Sequence, residues 1–122
     1  MTAHGRKEQE GVICRQLPSR AGIYILWFEG HNRAYIGQSG NISRRVRTHL
    51  YDMETFRDHK MRADLDTYGW DKLRAAVLES HETCDSLDVL ETRWMKQYRD
   101  GGWNLYNHDS VGKKSRRRAR VQ

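Results

Sequence analysis

The chain has 122 residues, enough for one domain with a single modest core. Hydrophobic residues make up 37%, and no apolar run approaches the roughly 20 residues a membrane helix requires, which excludes a helical membrane span. The net charge of +6 is concentrated at the C-terminus, where residues 112–122 carry Lys113, Lys114, Arg116, Arg117, Arg118 and Arg120 and no acid. Without those six the chain has 16 basic residues against 16 acidic ones, so the body is formally neutral. A basic run with no apolar periodicity cannot bury a core. It reads as an arm for phosphate backbones, residues 111–122, that carries no sequence information.

Residues 1–20 are polar and read as a loose N-terminal lead-in, with 11–17 allowed a contact with the body. They contain no apolar signal segment, so the expected location is cytoplasmic. Cys14 and Cys84 lie far apart with no metal-ligand spacing, and read as free thiols. Residues 22–28, GIYILWF, and 33–37, RAYIG, are strand-forming runs separated by the turn-rich EGHN, so they predict an antiparallel hairpin. Asn41 is a reasonable N-cap for a helix over 42–53, which places Ile42, Val46, Leu50 and Met53 on one stripe. A second helix is expected over 58–68, ending at Gly69, and a third strand over 73–80, although its alanines would also suit a helix. The clearest helix spans 84–99, entered through Thr83 or Asp85, and an irregular segment packs Trp103, Leu105 and Tyr106 after it. The fold class is therefore α/β (α+β), a small three-stranded antiparallel sheet flanked by helices.

Two helices carry charge where core is expected. With Leu87 at zero on a wheel of about 100° per residue, Leu90, Trp94, Tyr98 and Met95 form one apolar arc, and Glu91 falls inside it at about 40°. A carboxylate there must be paired with a cation, hold a metal, or point out through a cleft. On the first helix Arg45 and His49 stack one turn apart at the edge of the buried stripe, whereas Arg44 and Arg47 point to the far side. The edge pair suits gripping a phosphate, although a plain surface helix also places arginines in water. Two tyrosines on adjacent strands, an edge Arg/His pair and an inward glutamate form a repertoire that fits phosphodiester hydrolysis.

These residues resemble the GIY-YIG nuclease superfamily, which includes repair nuclease domains, intron-homing endonucleases and some restriction enzymes. Gly22-Ile23-Tyr24 stands for the first motif and Tyr35-Ile36-Gly37 for the second, with ten residues between the tyrosines. Arg45 falls ten positions after Tyr35, at the family's catalytic arginine, and His49 follows one helical turn later. Glu91, in LETRWMKQY, occupies the place of the metal-binding glutamate, and Asn104, in GWNLYN, that of the late asparagine. Asn107 is the alternative for that last role, and His59 stands near a further histidine of some homing members. Gln38 departs from members that carry a lysine three positions after the second tyrosine.

The resemblance covers residues 22–107, within a nuclease domain over 21–110. It implies an endonuclease that hydrolyses double-stranded DNA with one site per chain and one Mg²⁺, or Mn²⁺, held by Glu91. Tyr35 or His49 would be the general base, Tyr24 would hydrogen-bond the phosphate or water, Arg45 would stabilise developing charge, and Asn104 would buttress the site. Gly22 and Gly37 would let backbone and ligand approach closely. Gly37, Gln38, Arg44, Arg47, Lys113, Lys114, Arg116, Arg117 and Arg118 are the expected nucleic-acid contacts. The short flanks favour a phage, mobile-element or restriction enzyme, and a homodimer would let two sites cut both strands. The alternatives are an inactive nucleic-acid-binding module and a structure-specific repair nuclease subunit that needs a partner.

Overall fold

The hairpin forms as two seven-residue strands, β1 (Gly22–Phe28) and β2 (Arg33–Ser39), in a computed structural model that describes residues 4–107. Their antiparallel register sets Tyr24 opposite Gly37 and Leu26 opposite Tyr35. The third expected strand, β3 (Leu73–Ser80), pairs antiparallel with the other edge of β1. One residue of β3, Leu78, is bulged between the partners of Ile23 and Tyr24. The sheet has four strands rather than three, in the order β3-β1-β2-β4. The addition is β4 (Asn104–Leu105), which lies parallel to Arg33–Ala34. A two-residue strand has no hydrophobic period to read; tertiary pairing creates it, through Asn104 N–H to Asn32 O at 3.0 Å and Tyr106 N–H to Ala34 O at 2.8 Å.

Four helices cover the sheet: α1 (Arg6–Cys14), α2 (Ile42–Thr55), α3 (Arg62–Tyr68) and α4 (Leu87–Asp100). The polar lead-in is not loose, since α1 packs through Ile13, Cys14 and the following Leu17 into the core. Buried Gln9 joins it by donating to Leu73 O at 2.6 Å. Glu8 starts the helix by accepting from Gly5 N–H at 3.0 Å. Asn41 caps α2 as expected, its side chain accepting from Arg44 N–H at 3.1 Å. α3 begins four residues later than expected, because residues 56–61 are taken up in turns in which His59 Nδ1 accepts from Met61 N–H at 3.0 Å. Ser86, not Thr83 or Asp85, caps α4 by accepting from Val89 N–H at 3.2 Å, while Thr83 accepts from Asp85 N–H in the preceding turn.

The sheet separates two cores. Tyr24, Leu26 and Phe28 face Ile42, Val46, Leu50, Met53, Met61 and Leu65 together with α1. Ile23, Ile25, Ala34 and Ile36 face Leu90 and Met95 of α4 on the other side. β1 is therefore covered on both faces, which is why it reads as a continuous apolar run rather than an alternating one. Gly22 is needed for packing: a Cβ there would collide with the Glu79 carbonyl and meet Ile42 Cδ1 at 3.0 Å.

Candidate active site

Tyr24 and Tyr35 are diagonal neighbours on one sheet face, because Tyr35 lies two residues along β2 from Gly37, the cross-strand partner of Tyr24. Their ring centroids are 6.2 Å apart. Gly37 makes room for this pair. It is buried, and a Cβ on it would fall 2.5 Å from Tyr24 Oη, 2.6 Å from Tyr24 Cζ and 2.9 Å from Tyr35 Cε2. α2 lays His49 against both rings, at 5.8 Å from Tyr24 and 4.7 Å from Tyr35. Arg45, one turn earlier, is exposed at the edge of this cluster.

The cluster is largely buried and unevenly charged. Tyr24 is fully buried and His49 is 8% exposed, and among the described residues neither Tyr24 Oη nor His49 Nε2 has a hydrogen-bond partner of standard geometry. Buried polar atoms are nearly always paired, so two orphans in one cluster mark a place built for something other than packing. Burial drives the Tyr24 hydroxyl above its ordinary range, and the Tyr35 hydroxyl and Glu91 carboxylate add to this while Arg45 opposes it. Burial, then Glu91, also raises Tyr35, again against Arg45. His49 moves the other way, down to about 3, through burial first and then the positive charge of Arg45, His59 and Lys60. Near neutral pH the site thus holds two protonated phenols and an uncharged imidazole.

Glu91 comes from the opposite layer. It is half-buried on α4, and Gln38 Nε2 donates to Glu91 Oε1 at 3.0 Å and to Asp88 Oδ1 at 2.6 Å. The wheel left three readings open, and the partner here is a neutral amide, which orients the carboxylate without neutralising it. Among the described residues no three His, Cys, Asp or Glu side chains converge as a full metal cage. One carboxylate with a second beside it still suits Mg²⁺, which keeps several waters and takes one or two carboxylates plus substrate phosphate. Glu91 and the neighbouring Asp88 therefore fit such an ion.

The two asparagines lie at different points along β2. Asn104 is exposed and pairs with Arg33, at the end of β2 away from Gly37, so it stands apart from the tyrosines. Asn107 is buried, and its Nδ2 donates to Ile36 O at 2.7 Å, next to Gly37. Its side chain takes up the β2 edge where β4 stops, which neither the sequence context nor a two-residue strand revealed.

The expected nucleic-acid contacts also divide. Gln38 holds the carboxylates, and Arg44 is exposed on α2. Arg47 Nε binds Glu10 Oε2 at 3.1 Å and ties α2 to α1. Lys113, Lys114, Arg116, Arg117 and Arg118 lie outside the described residues. Two neighbours join the site from the α2–α3 turn: His59 meets His49 edge-on at 5.9 Å, and Lys60 Nζ lies 5.0 Å from the Tyr35 ring centroid. The helix expected over 58–68 hid the turn that brings them there.

A sequence profile of the GIY-YIG catalytic domain matches residues 20–107. No curated protein matches the chain. Among solved structures it is similar to the catalytic domain of the homing endonuclease I-TevI, at 22% identity over 70% of this chain and 97% of that one, with a TM-score of 0.57. It is also similar to the GIY-YIG N-terminal endonuclease domain of UvrC from Thermotoga maritima bound to its catalytic magnesium. There identity is 22% over 75% of this chain and 92% of that one, with a TM-score of 0.44. The profile spans both tyrosine motifs, α2 and Glu91 without interruption, and the chain belongs to the GIY-YIG catalytic domain family of endonucleases.

Proposed function

We propose that the protein is a divalent-metal-dependent endonuclease of double-stranded DNA, of the homing or restriction type, with one hydrolytic site per chain. The observation that carries this reading is the buried cluster of Tyr24, Tyr35 and His49, with two polar atoms that have no partner of standard geometry among the described residues, flanked by Arg45 and lying near Glu91. The raised Tyr35 hydroxyl favours orienting the attacking water over acting as a phenolate. The uncharged His49 imidazole can accept a hydrogen bond from the water or from the Tyr35 hydroxyl, but its depression to about 3 makes it a weak final acceptor of the proton. Tyr24 would hydrogen-bond the phosphate or the water. Arg45 would stabilise the charge that develops on the phosphoryl oxygens, where a guanidinium fork matches the geometry. Asn107, rather than Asn104, would hold the end of β2 in register with these groups. Glu91, with Asp88 beside it and Gln38 orienting both, would hold Mg²⁺ or Mn²⁺. Bound there, the ion supplies Lewis-acid stabilisation of the scissile phosphate.

One site per chain cuts one strand at a time, so a double-strand break takes two copies or two successive nicks. The experiment is conversion of supercoiled plasmid to nicked and linear forms by purified protein with Mg²⁺, with and without EDTA. Glu91→Ala and Arg45→Ala should each lose activity while keeping the wild-type circular dichroism spectrum. Cutting that survives in EDTA, or in Glu91→Ala, refutes the metal assignment.

A further inference from the structure

The turn between α2 and α3, which brings Lys60 to the site, also carries exposed Phe56 and Arg57, which neither the core nor the cluster above accounts for. Its backbone is firmly tied: Phe56 N–H donates to Asp52 O at 2.9 Å, His59 N–H to Phe56 O at 3.1 Å, and Arg62 N–H to His59 O at 2.9 Å. Met61, fully buried, anchors one end, and Arg62 Nη1 donates to Glu54 O at 2.9 Å across the other. A segment held this tightly would be expected to bury its apolar side chain. Instead Phe56 is 52% exposed, next to exposed Arg57, with exposed Asp58 the turn's one acid. Lys60, from the same turn, sits with Nζ 5.0 Å from the Tyr35 ring centroid.

We propose that residues 56–60 form a substrate-strand contact of this nuclease, with Lys60 on the phosphate presented to Tyr35 and Arg57 and Phe56 on the neighbouring nucleotide. The inference rests on the nuclease reading above and adds a surface to it. A phosphate that meets the Tyr35 hydroxyl falls within reach of an ammonium lying over that ring. The bond from His59 N–H to Phe56 O closes a turn that keeps the Phe56 and His59 Cα atoms within about 7 Å, so Phe56, Arg57 and Lys60 project from one short segment. An exposed aromatic ring with cations beside it is the arrangement that stacks a base while the charges follow the backbone, and it reads no particular sequence. The turn thus extends the interface away from α2, where Arg47 is already engaged by Glu10.

The test uses the full chain and a pool of labelled random-sequence duplexes. Binding is measured in Ca²⁺ across a salt series, and single-turnover cutting is measured in Mg²⁺. Lys60→Met should slow cutting at least about tenfold, with Lys60→Arg recovering most of it. Phe56→Ala should weaken binding by roughly five- to a hundredfold, and Arg57→Ala should make the log–log salt slope shallower by about one. Val12→Ala, an exposed change on α1, should match wild type in both assays. If wild type cuts and Phe56→Ala and Lys60→Met stay within twofold of it, the turn proposal is overturned and the nuclease reading stands. If wild type binds without cutting and the variants bind more weakly, the turn contact is upheld and the nuclease reading fails. Wild type that neither binds nor cuts overturns both.

Discussion

Gly37→Ala is the smallest change that tests whether the two tyrosines are positioned as described. The new methyl would sit 2.5 Å from Tyr24 Oη, 2.6 Å from Tyr24 Cζ and 2.9 Å from Tyr35 Cε2, all closer than real Cβ contacts come. Tyr24 cannot swing outward to relieve this, because it is fully buried between the sheet and α2, against His49. Overpacking of this kind costs about 1–3 kcal/mol. For a domain of this size each kcal/mol moves Tm by roughly 3–6 °C, so a loss of roughly 3–18 °C is expected. Activity should fall further than stability, since displacing a group that meets the reacting atoms by about 1 Å can cost about a hundredfold. Thermal melts and plasmid cutting at a temperature where both proteins stay folded separate the two effects. Adding Tyr24→Phe removes the nearest atom but not Cζ, so the double variant should recover part of the stability and none of the activity. Gly40→Ala, which meets nothing within 4 Å, is the matched control. Gly37→Ala with wild-type Tm and wild-type cutting would show that Tyr24 does not lie across β2 as described.

Asn107→Ala should cost about 1–3 kcal/mol in urea unfolding, by leaving Ile36 O and the β2 edge without their partner, and should cut poorly. Asn104→Ala, an exposed change, should stay within about 0.5 kcal/mol and cut normally. Gln38→Ala releases Glu91 and Asp88, so the Mg²⁺ concentration for half-maximal cutting should rise by about 10–100-fold. His49 titrates near 6.5 when unfolded and about 3 when folded, so the unfolded chain takes up this proton first. Its stabilising contribution is complete above about pH 6.5 and declines as pH falls towards 3. Melts of His49→Gln between about pH 7 and pH 4 should show a shallower acid loss than wild type, with the smaller contribution of His59 remaining.

Much of this arrangement was legible because local rules and tertiary structure agree. The hairpin has strong strand formers and a polar turn, Asn41 is a standard cap, and Glu91 betrayed itself by falling in an apolar arc. What stayed hidden was set by partners remote in sequence. α1 has too few apolar residues to announce itself, and its place depends on Gln9 reaching Leu73, which no periodicity encodes. With α1 read as loose, Glu10 could not be seen as the partner of Arg47, and that arginine looked like a free contact. Asn104 was preferred for its neighbour Trp103, but two residues of parallel pairing put it beside Arg33 and left Asn107 next to Gly37. The turn carrying Lys60 was masked by a helical pattern that His59 interrupts through its bond from Met61 N–H.

The site's position follows from where the sheet ends. β4 covers β2 only at Arg33 and Ala34, and Asn107 takes the carbonyl of Ile36 with a side chain instead of a strand. Beyond that point β2 carries its alternating side chains to two different layers. Tyr35 faces His49 and Tyr24 on one side, while Gln38 reaches the α4 carboxylates on the other. Groups from both layers act on one phosphate only if the sheet is thin enough for them to meet around its edge. Gly37 lies between Tyr35 and Gln38 and contributes no side chain to either face. The second motif is thus one strand end with three tasks: a phenol for one side, an amide for the other, and no bulk between them. A larger residue at position 37 would separate the carboxylate from the phenols even if every catalytic side chain were kept.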